Sequence, residues 1–197
     1  MTDSEFTKYK KLLKQFYEEA CVAMKISMDH VEWVYESNGN RFESILNGTE
    51  LEVYEIVDAT MITFKHYINE NWLKDRVENN DLYDLRYLMY HDARTQYQHL
   101  QMYRYETNQI CEEPVDIVKL WIDNQKSYKR NDGKDSNIDY HLQPLEIDAD
   151  AFAFALMQLK GITAMRMFPG TEELIIRRMI EIFKTQWGLD ASLEEEN

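Results

Sequence analysis

From residue 4 to residue 25 the apolar positions fall at intervals of three and four, at Phe6, Tyr9, Leu13, Phe16, Tyr17, Ala20 and Met24. That spacing lines one face of a helix and predicts that the face packs on a core. At Val31 the period changes to two: Val31, Trp33 and Tyr35 alternate with Glu32, Val34 and Glu36, and Ser37-Asn38-Gly39-Asn40 supplies hairpin-turn chemistry. A second turn signal, Asn47-Gly48-Thr49, precedes Leu51, Val53, Tyr54, Ile56 and Val57, and then Met61 to Phe64. A small mixed or antiparallel sheet of three or four strands is expected between Val31 and Tyr67.

Beyond the sheet the helical period returns. Residues 69–81 are polar and predict a loop or a short helix. Leu82 to about Tyr103 predicts a long helix, with Leu82, Leu85, Leu88 and Met89 near one stripe and neither Gly nor Pro inside it. Pro114 suits the first turn of another helix, whose Val115, Val118, Trp121 and Ile122 can face inward. Residues 126–139 have no apolar period and predict an exposed loop with the densest run of positive charge in the chain. Pro144 opens a helix that Gly161 terminates near Lys160. A last helix starts at Thr171, whose hydroxyl can cap it, and closes before Gly188. The fold class that follows is α+β and mostly helical, with one domain over residues 1–190 and an acidic tail over 191–197.

Composition narrows the function classes. The chain has 197 residues and 44% hydrophobic content, which suffices for one well-packed core. Cys21 and Cys111 are too few and too far apart for a disulfide scaffold or a thiolate metal cluster. No window reads as a membrane span or a signal peptide, so a cytoplasmic protein is the expectation. Lys and Arg number 22 against 36 Asp and Glu, a formal net charge of -14. Such a chain repels nucleic acid and anionic membranes and is drawn to basic surfaces.

The candidate chemistry lies in two stretches, Tyr90-His91-Asp92-Ala93-Arg94-Thr95-Gln96-Tyr97-Gln98 and Pro144-Leu145-Glu146-Ile147-Asp148-Ala149-Asp150-Ala151-Phe152. In an H-E-x-x-H helix two imidazoles one turn apart reach one zinc, and the glutamate serves as general base on a metal-bound water. Glu146 can add a carboxylate from a second helix, with Asp150 one turn later on the same face and able to orient a ligand. No phosphate-binding glycine loop, nucleophile elbow or Cys/His pair occurs.

On these residues the chain resembles small predicted zinc peptidases of gut bacteria and their mobile elements, which carry H-E-x-R-H-x-x-Q and a downstream E-x-x-A-D/N-A-F helix. The pattern is shared with gluzincins and, more loosely, with ImmA/IrrE-type peptidases, and it covers roughly residues 30–160. The resemblance implies a zincin-like fold with His91 as first metal ligand, Glu146 as third and Asp150 behind them. It departs at the chemistry. Thr95 stands where the second histidine belongs, and Asp92 stands where the glutamate base belongs, shorter by one methylene. Two ligands bind zinc weakly. His99 is about 12 Å along the helix from His91, too far to share an ion, which leaves His141 as the candidate substitute ligand.

Two functions are expected from this pattern. The first is a non-catalytic, metallopeptidase-like protein, needing no cofactor, whose acidic surface binds a protein partner. Its concrete form is a phage or mobile-element inhibitor of a basic nucleic-acid-binding defence protein. The second is an active zinc-dependent peptidase that uses Asp92 as base and His91, Glu146 and a substitute ligand. A bland alternative stands beside both: His91, Asp92 and Arg94 as a polar patch, with Arg94 paired to Glu146 or Asp150. His30 and His66 show no partner pattern and read as ordinary.

Overall fold

The structure, a computed structural model, describes residues 3–37, 48–58, 61–130 and 138–189. Its element order is α1 (Asp3–Ala23), β1 (Val31–Glu36), β2 (Thr49–Asp58), β3 (Met61–Asn69), α2 (Glu70–Glu78), α3 (Leu82–Glu106), α4 (Val115–Lys126), α5 (Ile138–His141), α6 (Pro144–Leu159) and α7 (Glu172–Trp187). The fold is therefore α+β and mostly helical, with seven helices and a three-stranded mixed sheet among the described residues. No helix among these residues is long and apolar enough to cross a membrane.

The sheet runs in the order β1-β3-β2. β3 pairs in parallel with β1 and antiparallel with β2, so β2 is an edge strand. The turn signal after Tyr35 led us to expect a hairpin there. Instead β1 and β2 do not pair, because β3 lies between them; Asn38 to Asn47 lie outside the described residues. On β3 the strand period puts Ile62, Phe64, His66 and Ile68 on the buried side, each 5% exposed or less.

Residues 69–81 hold a real helix, α2, because Asn69 caps it: its side-chain oxygen accepts from the amides of Asn71 and Trp72. Trp72 and Leu73 anchor it in the core. The indole of Trp72 lies so close to Gly48 that a Cβ there would come within 2.4 Å of the ring. Only glycine fits at this start of β2.

The core is built around α6, in which every residue from Leu145 through Met157 is buried. α3 packs between α1 and α6, and α7 covers α6 from another side. Pro144 opens α6 as expected, and Gly161 follows its end at φ +80°, a conformation that costs other residues strain. The expected cap at Thr171 is different: its hydroxyl donates to the Phe168 carbonyl at 2.7 Å and makes no cap bond to α7. The acidic tail lies outside the described residues.

An all-buried helix that carries Glu146, Asp148 and Asp150 must satisfy three carboxylates. Asp148 is satisfied by an ion cluster. Arg94, fully buried on α3, grips it through Nε at 2.7 Å and Nη2 at 3.0 Å, and Arg178 on α7 adds a 2.7 Å bond. Glu113, just before α4, closes the cluster on Arg94 at 2.8 Å and Arg178 at 3.1 Å. Gln98 joins through bonds to Asp148 at 2.7 Å and to the Leu145 carbonyl at 2.9 Å. The Arg94 guanidinium also lies over the rings of Tyr97, Trp121 and Phe152. Arg94 was expected to pair with Glu146 or Asp150, yet it points to the other side of α6, where Asp148 meets it. The cluster locks α3, α6, α7 and the approach to α4 together.

Candidate functional site

His91 and Asp92 lie on α3, and Glu146 and Asp150 on α6, one turn apart on one face. The two helices bring them together. The Nε2 of His91 is 3.4 Å from Glu146 Oε2 and 3.5 Å from Asp150 Oδ1, while its Nδ1 is 3.3 Å from Asp92 Oδ1. Burial opposes a charge on this imidazole, but the hydrogen bonds to Asp92 and Glu146 and the charges of Glu146 and Asp150 outweigh it. The His91 pKa is held well above its ordinary value.

The other oxygen of Asp92 meets a residue that looked ordinary. His66 on β3 is fully buried, and its Nε2 lies 2.8 Å from Asp92 Oδ2. Its ring sits against Tyr17 and Trp33, with centroids 5.2 and 4.7 Å away. Burial would raise the Asp92 pKa, but the hydrogen bonds from His66 and His91 keep its carboxyl well below the usual range. His66 missed notice because a lone histidine has no spacing partner. The signal was its place in the inward alternation of β3, where a polar ring needs a polar neighbour.

Tyrosines complete the site. Tyr128 donates to Glu146 Oε1 at 2.5 Å, and Tyr140 also bonds Glu146. Tyr87, one turn before His91, donates to Asp150 Oδ1. Glu146 is held below its ordinary pKa: burial works against this, and His91 and the two tyrosines overcome it. For Asp150 burial wins, pushing the carboxyl up to about 6 despite His91 and Tyr87.

His91, Asp92, Glu146, Tyr128 and Tyr140 border a cleft of about 610 Å³ between β2 and α3. Glu50 and Glu52 line it from the edge strand, Asp92 and Glu146 from the helices, and Tyr128 and Arg130 from the segment after α4. His99 also lines it, with burial lowering its pKa to about 4. His141 is placed differently. Its ring stacks on Phe168 with centroids 4.0 Å apart, and burial lowers its pKa despite the nearby charge of Glu146.

A tetrahedral zinc with bonds of about 2.0–2.2 Å keeps its donors roughly 3.3–3.5 Å apart. The two contacts of His91 Nε2 match such edges. The rest of the set does not fit a metal. The Thr95 hydroxyl turns back to the His91 carbonyl at 3.3 Å, Asp92 is taken by two imidazoles, and Glu146 and Asp150 already accept from tyrosines. Among the described residues no group of three or more His, Cys, Asp or Glu is arranged to hold a metal ion. Comparison of the chain with models of protein families, with curated proteins and with solved structures finds no match.

Proposed function

We propose that this chain is a non-catalytic protein on a zincin-like framework, and that its acidic cleft takes up a basic segment of a protein partner. One observation carries the reading: the cleft is open, while the side chains at its chemical centre are already engaged by protein groups. Asp92 bonds His66 and His91, and Thr95 bonds backbone, so the two positions that depart from the peptidase pattern offer neither a base nor a ligand to the cleft. The cleft lining holds Asp92 and Glu146 from the helices and Glu50 and Glu52 from the edge strand beside Arg130, in a chain of net charge -14. Charge complementarity of this kind governs encounter and partner choice more than final affinity. A mobile-element protein that occupies the basic groove of a nucleic-acid-binding defence protein in the cytoplasm is the concrete form of this proposal.

The test uses a Lys/Arg-rich peptide as probe. Its binding should weaken steeply with salt and be lost in a Glu50→Lys, Glu52→Lys double variant. Salt-insensitive binding, or binding that survives the charge reversal, contradicts the proposal. The contacts of His91 with Glu146 and Asp150 favour a second reading, a metal-dependent peptidase. Zinc bound at one per chain in the purified protein, and lost in Glu146→Ala, would establish that reading in place of the first.

A further inference from the structure

His66, Asp92 and His91 form one hydrogen-bonded line from the sheet side of the core to the cleft. The line begins at a ring with only one polar partner. His66 Nε2 reaches Asp92 at 2.8 Å, whereas its Nδ1 is buried and bonded to nothing in the described structure. A buried N–H without an acceptor is costlier than a bare ring nitrogen facing apolar neighbours, so the proton belongs on Nε2, where Asp92 accepts it. Asp92 then has one oxygen left, and that oxygen faces His91 Nδ1. With Nδ1 so occupied, His91 presents Nε2 to Glu146 and Asp150.

We infer that His66 is the positioning residue of this site: it pins Asp92 from β3, and Asp92 in turn fixes which nitrogen of His91 faces α6. Asp92 is thereby an orienting group and not a base. Swinging it towards the cleft would strand the His66 N–H in a fully buried position. The arrangement uses the logic by which a carboxylate behind an imidazole sets tautomer and ring orientation in many polar sites, with a second imidazole added behind the carboxylate. The inference does not depend on what occupies the cleft.

Long-range proton–nitrogen spectra of the histidine rings in the full chain test it. The wild-type spectrum should show His66 as the Nε2–H tautomer. In His66→Phe the His91 ring signals should move, because Asp92 no longer holds the ring in place, while those of His30 stay where they are. In His66→Gln, whose amide can still donate to Asp92, the wild-type His91 pattern should be largely kept. An Nδ1–H tautomer at His66 in the wild type overturns the inference, as does an unchanged His91 pattern in folded His66→Phe. If His66→Phe does not fold, the wild-type tautomer and the His66→Gln spectrum decide it.

Discussion

Two polar clusters sit side by side between the same two helices, and they differ in whether anything is left over. Arg94 and Asp148 build one; His91, Glu146 and Asp150 build the other, three residues away on α3 and two away on α6. Around Arg94 and Asp148 each charge meets opposite charges, Arg94 gripping Asp148 with a two-pronged fork, and the exposure of Arg94 is 0%. Around His91 the contacts are longer, at 3.3–3.5 Å, and the cluster borders a cleft. The closed cluster acts as scaffold. The open one borders the cleft that we propose a partner enters.

The sharpest way to break this contrast is to remove a charge from the closed side. Asp148→Asn leaves Arg94 and Arg178 with only Glu113 between them, and losing one partner of a buried ion pair costs about 3–5 kcal/mol. Urea unfolding at pH 7 should show a loss of that order. Burial alone would raise the Asp148 pKa, but Arg94 and Arg178 bring it down from 3.8 to about 2. A depressed carboxylate contributes stability that is present above its unfolded value and disappears as the pH falls through its folded one. The deficit of Asp148→Asn should therefore shrink between pH 4 and pH 2. A constant deficit would mean that the ion cluster is not what Asp148 supplies.

Thr95→His probes the open side by restoring the ligand one turn from His91. Zinc at a hundred times its dissociation constant should then stabilise the variant by about 2.7 kcal/mol in thermal unfolding and leave the wild type unmoved. No zinc response in the folded variant would mean that His91 and residue 95 do not share a face towards Glu146. His91→Ala should cost less, about 1–3 kcal/mol, because the carboxylates it leaves keep Tyr128, Tyr140 and Tyr87 as donors. A loss as large as that of Asp148→Asn would erase the distinction between the clusters. The smallest effect on stability belongs to Glu50→Lys, within about 0.5 kcal/mol, since it lies at the edge strand. Its effect should be read in peptide binding instead.

Much of the fold was legible in the spacing of apolar residues. The helices announced themselves through three- and four-residue periods and through Pro144, Gly161 and Gly188. Strand order was not legible, because β1 pairs with β3 across the intervening β2, and pairing partners are set by tertiary packing that no local turn signal encodes. In the site, His91, Glu146 and Asp150 could be read as a group because each helix repeats on one face every turn. Asp148 lay hidden between Ile147 and Ala149 on a helix that is buried all round, where period gives no face to choose. His66 was hidden for the complementary reason: strand alternation marked it as inward, but its partner lies 26 residues away on a helix.

We propose that the open cluster needs no metal and that the chain acts by binding. Metal analysis of protein purified without chelators tests it most directly. The expected result is well-folded protein with no stoichiometric zinc and a thermal transition that a chelator does not move. One zinc per chain, lost together with stability in Glu146→Ala, would contradict it.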